Sequence, residues 1–80
     1  MSMLTQAQAE SVFGAMVQLN NVGGILHARL PLAGGLGRHI IVMEEIMSDD
    51  IVVSLYVGGA NQGSERYANQ NAFAAAYGLD

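Results

Sequence analysis

The run Ile51-Val52-Val53-Ser54-Leu55-Tyr56-Val57 is what most narrows the folds open to this chain. All but one of its residues are β-branched, aromatic or leucine. Such side chains fit a pleated surface better than a helical turn. Alternation puts Ile51, Val53, Leu55 and Val57 on one face and Val52, Ser54 and Tyr56 on the other. The run from Arg38 to Ile46 (RHIIVMEEI) is also strand-like, and Met47-Ser48-Asp49-Asp50 turns the chain between the two. A third alternating run covers Ile25 to Leu32. There Leu26, Ala28, Leu30 and Leu32 share one face, and Ile25, His27 and Arg29 share the other. Pro31 has no amide hydrogen for a ladder, so this strand is expected at a sheet edge, or to end there.

Helices flank the strands. Thr5 and Gln8 fit a capping box. Ala9, Val12, Phe13, Met16 and Val17 follow at helical spacing, and Asn20-Asn21 with Gly23-Gly24 ends the helix. Gly14 marks either a tolerated small residue or a close approach to the sheet. Gly58 to Gly63 reads as a loop, after which Ser64 is expected to cap a second helix with Glu65 in its first turn. Ala68, Ala72, Ala75 and Ala76 give that helix a stripe of small residues beside Phe73 and Tyr77. Gly78 is placed as its C′ residue, with Leu79 folding back. The expected fold is α+β over a single domain, residues 1–80. It has two layers in the order α-β-β-β-α: a three-stranded antiparallel meander with both helices on one face. Arg29, Ile41, Met43, Val52 and Tyr56 then share a face that no helix covers, which makes that face a candidate interface.

Size and charge restrict the function. A domain this short buries only about 60–65% of its unfolded surface. With no cysteine there is no disulfide, thiolate nucleophile or cysteine-bound zinc to support it. Partner binding or self-association is the expected further source of stability. The chain has three arginines, no lysine and seven acidic residues, for a net charge of −4. That balance argues against a nucleic-acid or anionic-membrane binder, which needs a basic footprint. No apolar run approaches the roughly 18 residues of a membrane span. The opening Met1-Ser2-Met3-Leu4 has no signal-peptide pattern, so a cytoplasmic globular domain is expected. A binding module is favoured over an enzyme, because a catalytic pocket with its supporting shell is hard to build at this size.

The order α-β-β-β-α resembles that of the double-stranded-RNA-binding domain. Gly63-Ser64-Glu65-Arg66-Tyr67-Ala68, followed by Ala72, is similar to that family's Gly-x-Ser-Lys-Lys-x-Ala start of helix two. The resemblance covers about the last twenty residues and implies a helix beginning here. In that family the helix-start lysines hold phosphates; Glu65, Arg66 and, further on, Asn69 stand here instead. The shared feature is therefore architecture, and no direct nucleic-acid contact is expected. In size, charge and architecture the chain is also similar to small phage-encoded proteins that block host defence, anti-CRISPR proteins among them. That likeness implies an inhibitor of a host protein or ribonucleoprotein complex, acting by binding or by nucleic-acid mimicry.

Four groups of residues carry possible chemistry. Glu44, Glu45, Asp49 and Asp50 place four carboxylates within seven residues, either as a solvated turn or as a docking patch for a basic protein surface. Their spacing lacks the order of a calcium loop. Gly58-x-x-x-x-Gly63-Ser64 has the outline of a phosphate cradle but no P-loop lysine, so a plain strand-to-helix connection is expected. His27 and His39, with nearby carboxylates, would serve a metal or acid–base site only if strand pairing brought them together. No serine carries a nucleophile signature. Tyr56, Arg29, Arg66 and Tyr67 are of the types that dominate interface hot spots. The expectation is a non-catalytic interaction module with a protein partner and no cofactor. A homodimeric domain and a small ligand- or metal-binding protein are the alternatives.

Overall fold

A computed structural model describes residues 3–79. The elements run α1 (Gln6–Asn20), β1 (His27–Pro31), β2 (His39–Glu44), β3 (Ile51–Val57), β4 (Ala60–Tyr67) and α2 (Gln70–Ala76). The strands form one antiparallel sheet in the order β1-β2-β3-β4. The fold is α+β with both helices on one sheet face. There α1 presents Ala9, Val12 and Met16, and α2 presents Phe73 and Ala74, to Ile40, Val42, Ile51 and Val53.

The meander has four strands, not three. Gly58 and Gly59 form a two-residue hairpin turn with φ of 59° and 84°, values that glycine adopts without strain. The segment expected as a loop and helix start is the eight-residue β4. Ser64 is therefore no helix cap and Glu65 no first-turn residue. Ser64 pairs with Ser54, and Glu65 with Val53. The likeness to the start of helix two in the double-stranded-RNA-binding domain ends here, since Gly63 to Tyr67 is strand. So does the outline of a phosphate cradle, because Gly58 to Ser64 lies in a hairpin rather than before a helix. Helix α2 starts later, capped by Asn69, whose side chain accepts a 2.8 Å hydrogen bond from the Ala72 amide. That delay changes the buried stripe. Phe73, Ala74 and Tyr77 are buried, whereas Ala68, Ala75 and Ala76 are exposed.

Other local expectations hold. The Thr5–Gln8 capping box is complete, at 3.1 and 2.9 Å. Gly78 takes φ +68°. Leu79 folds back with its amide 2.8 Å from the Ala74 carbonyl, and Gly78 donates to Ala75 at 3.2 Å. These two bonds make a Schellman motif, and Leu79 is buried. Pro31 closes the edge strand β1. Gly14 faces open space, so no close helix–sheet approach depends on it.

Two carboxylates stand on the helix side of the sheet. Glu44 is 9% exposed. It accepts hydrogen bonds from the Leu26 amide at 2.9 Å and from Gln70 Nε2 at 3.0 Å. Glu65 Oε1 accepts from the Met3 amide at 3.2 Å and the Tyr67 hydroxyl at 3.0 Å, with the Tyr77 hydroxyl at 3.4 Å. A buried carboxylate is tolerated when its oxygens are occupied in this way.

Candidate functional site

Register fixes the face away from the helices. Across the four strands, Arg29, Ile41, Ser54 and Ser64 form one row, flanked by His27-Met43-Val52-Arg66. The third row runs Pro31-His39-Tyr56-Asn61. Its middle is covered by its own side chains. Val52 and Ser54 are buried although no helix lies over them. His39 stacks on Tyr56 with ring centroids 5.3 Å apart and planes 8° from parallel. Ser54 and Ser64 hydroxyls lie 2.8 Å apart. Arg29 is exposed on β1 and Tyr56 is half-buried in the stack.

The acidic group divides into three environments. Glu44 turns to the helix side and is spent on internal hydrogen bonds. Glu45 and Asp50 are bridged by Arg66, whose guanidinium reaches both oxygens of Glu45 and lies 2.7 Å from Asp50. These hydrogen bonds and the added charge hold the Glu45 carboxyl below its ordinary range. Asp49 is exposed at the tip of the turn. The four carboxylates therefore do not form the free row that mimicry of a phosphate backbone needs.

Tyr67 lies on the helix side, edge-on to Phe73 with centroids 5.4 Å apart. Burial raises its hydroxyl pKa, and contact with Tyr77 and Glu65 adds to the shift. It serves the core rather than an exposed interface. His27 and His39 stand at opposite ends of the β1–β2 ladder, paired with Met43 and Pro31 respectively. Among the described residues no group of three His, Asp or Glu comes together to hold a metal. The two histidines therefore do not converge, although His27 lines a groove together with Glu44 and Glu45.

An apolar groove of about 450 Å³ opens instead at the end of the sheet where β2 turns into β3. Ile25, Leu26, His27, Met43, Glu44, Glu45, Ile46 and Met47 line it. Ile46 is 76% exposed, Met47 95% and Ile25 49%. The turn that presents them is tied down. The Glu45 amide donates to the Asp50 carbonyl at 2.8 Å, and Asp49 N–H donates to the Glu45 carbonyl at 3.1 Å. The Ser48 hydroxyl donates to Glu45 at 2.9 Å, and Arg66 clamps the turn from β4. A neighbouring polar groove of about 380 Å³ shares Ile25 and Glu44 and adds Asn20, Asp49, Asn69, Gln70 and Asn71. Sequence reading passed over Ile25, Ile46 and Met47, taking them as strand and turn residues. The available signal was two bulky apolar residues directly before Ser48-Asp49-Asp50, where turn chemistry favours small polar ones.

No helix among the described residues is long and apolar enough to cross a membrane. Comparison with known proteins adds no constraint: no family model, curated protein or solved structure matches this chain.

Proposed function

We propose that this chain is a non-catalytic interaction module that docks a protein partner at the apolar groove by the β2–β3 turn. The observation that carries the reading is the exposure of Ile46 and Met47 on a turn held by its own hydrogen bonds. Large apolar side chains in water forgo the free energy that burial would supply. A rigid turn presents them at little further entropic cost on binding. Methionine adapts its shape to a partner surface, so Met43 and Met47 suit the lining. Arg29 and the His39–Tyr56 stack lie on the sheet face away from the helices, with the stack at the far end of the β2–β3 ladder from the groove, so neither is needed for this docking site. The narrower reading drawn from size and charge, an inhibitor of a host complex, is this proposal with the captured complex inactivated.

The test is photo-crosslinking in the cells that make the protein, with a benzophenone amino acid replacing Met47 or, as a control, Ala7 on exposed α1. A discrete adduct from position 47 and none from position 7 is the expected result. Equal labelling from both positions, or none from either, rejects the groove as the docking site. If an adduct forms, adding the purified chain to the captured complex decides whether it inhibits.

A further inference from the structure

Charge around the groove narrows its occupant. We infer that it takes a segment of a partner protein in which an apolar anchor is flanked by lysine or arginine; this rests on the interaction reading above. The apolar lining comes from Ile25, Leu26, Met43, Ile46 and Met47. Glu44 and Glu45 lie in its wall, and Asp49 lines the polar groove that shares Ile25 and Glu44 with it. With Asp50 beside them the carboxylates at this end outnumber the cations, although Glu44 is spent on internal hydrogen bonds. Arg66 is the cation among them, and it is already engaged by Glu45 and Asp50. Asp49 has no ion-pair partner among the described residues. The remaining lining of the polar groove, Asn20, Asn69, Gln70 and Asn71, is uncharged and adds no cation to oppose a basic side chain at Asp49. An apolar slot continuous with a cation-accepting one matches an apolar side chain with a basic neighbour.

The same charges argue against the other occupants. A two-fold dimer through this end would set one acidic turn against its copy, and like charges placed together in an interface cost affinity. An acidic peptide or an anionic lipid surface meets the same repulsion.

The experiment selects random displayed peptides on the wild-type protein, with counter-selection on the Ile46→Ser/Met47→Ser double variant. Both positions are exposed, so the variant keeps its fold, which circular dichroism checks. Groove-dependent peptides are expected to combine a large apolar residue with nearby lysine or arginine. The best of them, synthesised, is expected to lose about tenfold in affinity on Ile46→Ser/Met47→Ser and about threefold on Asp49→Asn. Asparagine tolerates the φ of +61° at position 49, so only the charge is removed. Affinity is also expected to fall as salt rises from about 0.01 M to about 0.15 M, where the screening length shortens from about 30 Å to about 8 Å. Groove-dependent peptides without basic residues, or affinity indifferent to salt and to Asp49→Asn, overturn this inference and leave the interaction reading standing. A dimer in sedimentation that Ile46→Ser/Met47→Ser abolishes assigns the groove to a second copy and also overturns it. An absence of groove-dependent peptides, joined to a blank crosslink at position 47, overturns both.

Discussion

At the residue scale, neighbours one position apart do opposite work. Glu44 and Glu45 are adjacent, yet the strand pleat sends the first to the helices and leaves the second to the turn. Glu44 satisfies the Leu26 amide and Gln70, whereas Glu45 pairs with Arg66. This pairing predicts a pH dependence. The folded-state pKa of Glu45 is lowered, chiefly by its hydrogen bonds to Arg66 and Ser48. Its contribution is therefore complete above the ordinary value of 4.5 and is lost as pH falls through the lowered one. Carboxyl carbon shifts followed by NMR should show Glu45 titrating below 4.5, and Arg66→Ala should return it toward that value. Because the pair is solvated, the variant should otherwise melt close to wild type. Titration of Glu45 unchanged by Arg66→Ala would show that the bridge is not formed in solution.

At the element scale, α2 depends most on its ends. It has seven residues, fewer than an isolated helix needs in water. Asn69 caps its start, and the Gly78–Leu79 motif closes its end. Asn69→Ala leaves the Ala72 amide without its partner and should cost about 1 kcal/mol. Urea unfolding would read the loss as a lower midpoint with an unchanged slope. Asn69→Asp, which keeps the acceptor, should recover most of it. Strand β4 depends on a different device. Its sequence, ANQGSERY, has no β-branched residue, and it exists because the Gly58–Gly59 turn delivers it to β3. The apolar run of β3 gains a hydrogen-bonding neighbour on that side, with a register shift at Leu55/Tyr56.

At the scale of the whole molecule, one small core holds both layers. Phe73 is fully buried at its centre and touches the aromatic rings of Tyr67 and Tyr77. Phe73→Ala should cost about 3–5 kcal/mol, comparable to the total stability that one core of this size supplies. The variant should be largely unfolded at physiological temperature, with near-ultraviolet circular dichroism lost together with the helical signal. A cooperative melt within a few degrees of wild type would mean that stability resides elsewhere. Because the helices spend their apolar faces on this core, they leave the opposite sheet face and the groove by the β2–β3 turn uncovered.

Local chemistry was enough for α1 with its capping box, the three apolar strands, the edge position of Pro31 and the Schellman end of α2. Each depends on contacts within a few residues or on a side-chain period, and both are visible along the chain. Those strands and two helices sufficed for the α+β class and for the face that the helices leave open. Strand β4 was hidden because its residues have weak β preference, and its pairing energy comes from a neighbour across the hairpin. The paired Gly58-Gly59 was its available signal. The proposed docking surface was hidden for a related reason. Clustering in sequence made Glu44, Glu45, Asp49 and Asp50 look like one patch, but the pleat buries one and the distant Arg66 engages two. Ile25 and Met47 become neighbours in a groove only when β1 pairs with β2, because long-range pairing, not sequence proximity, decides which apolar side chains remain in water.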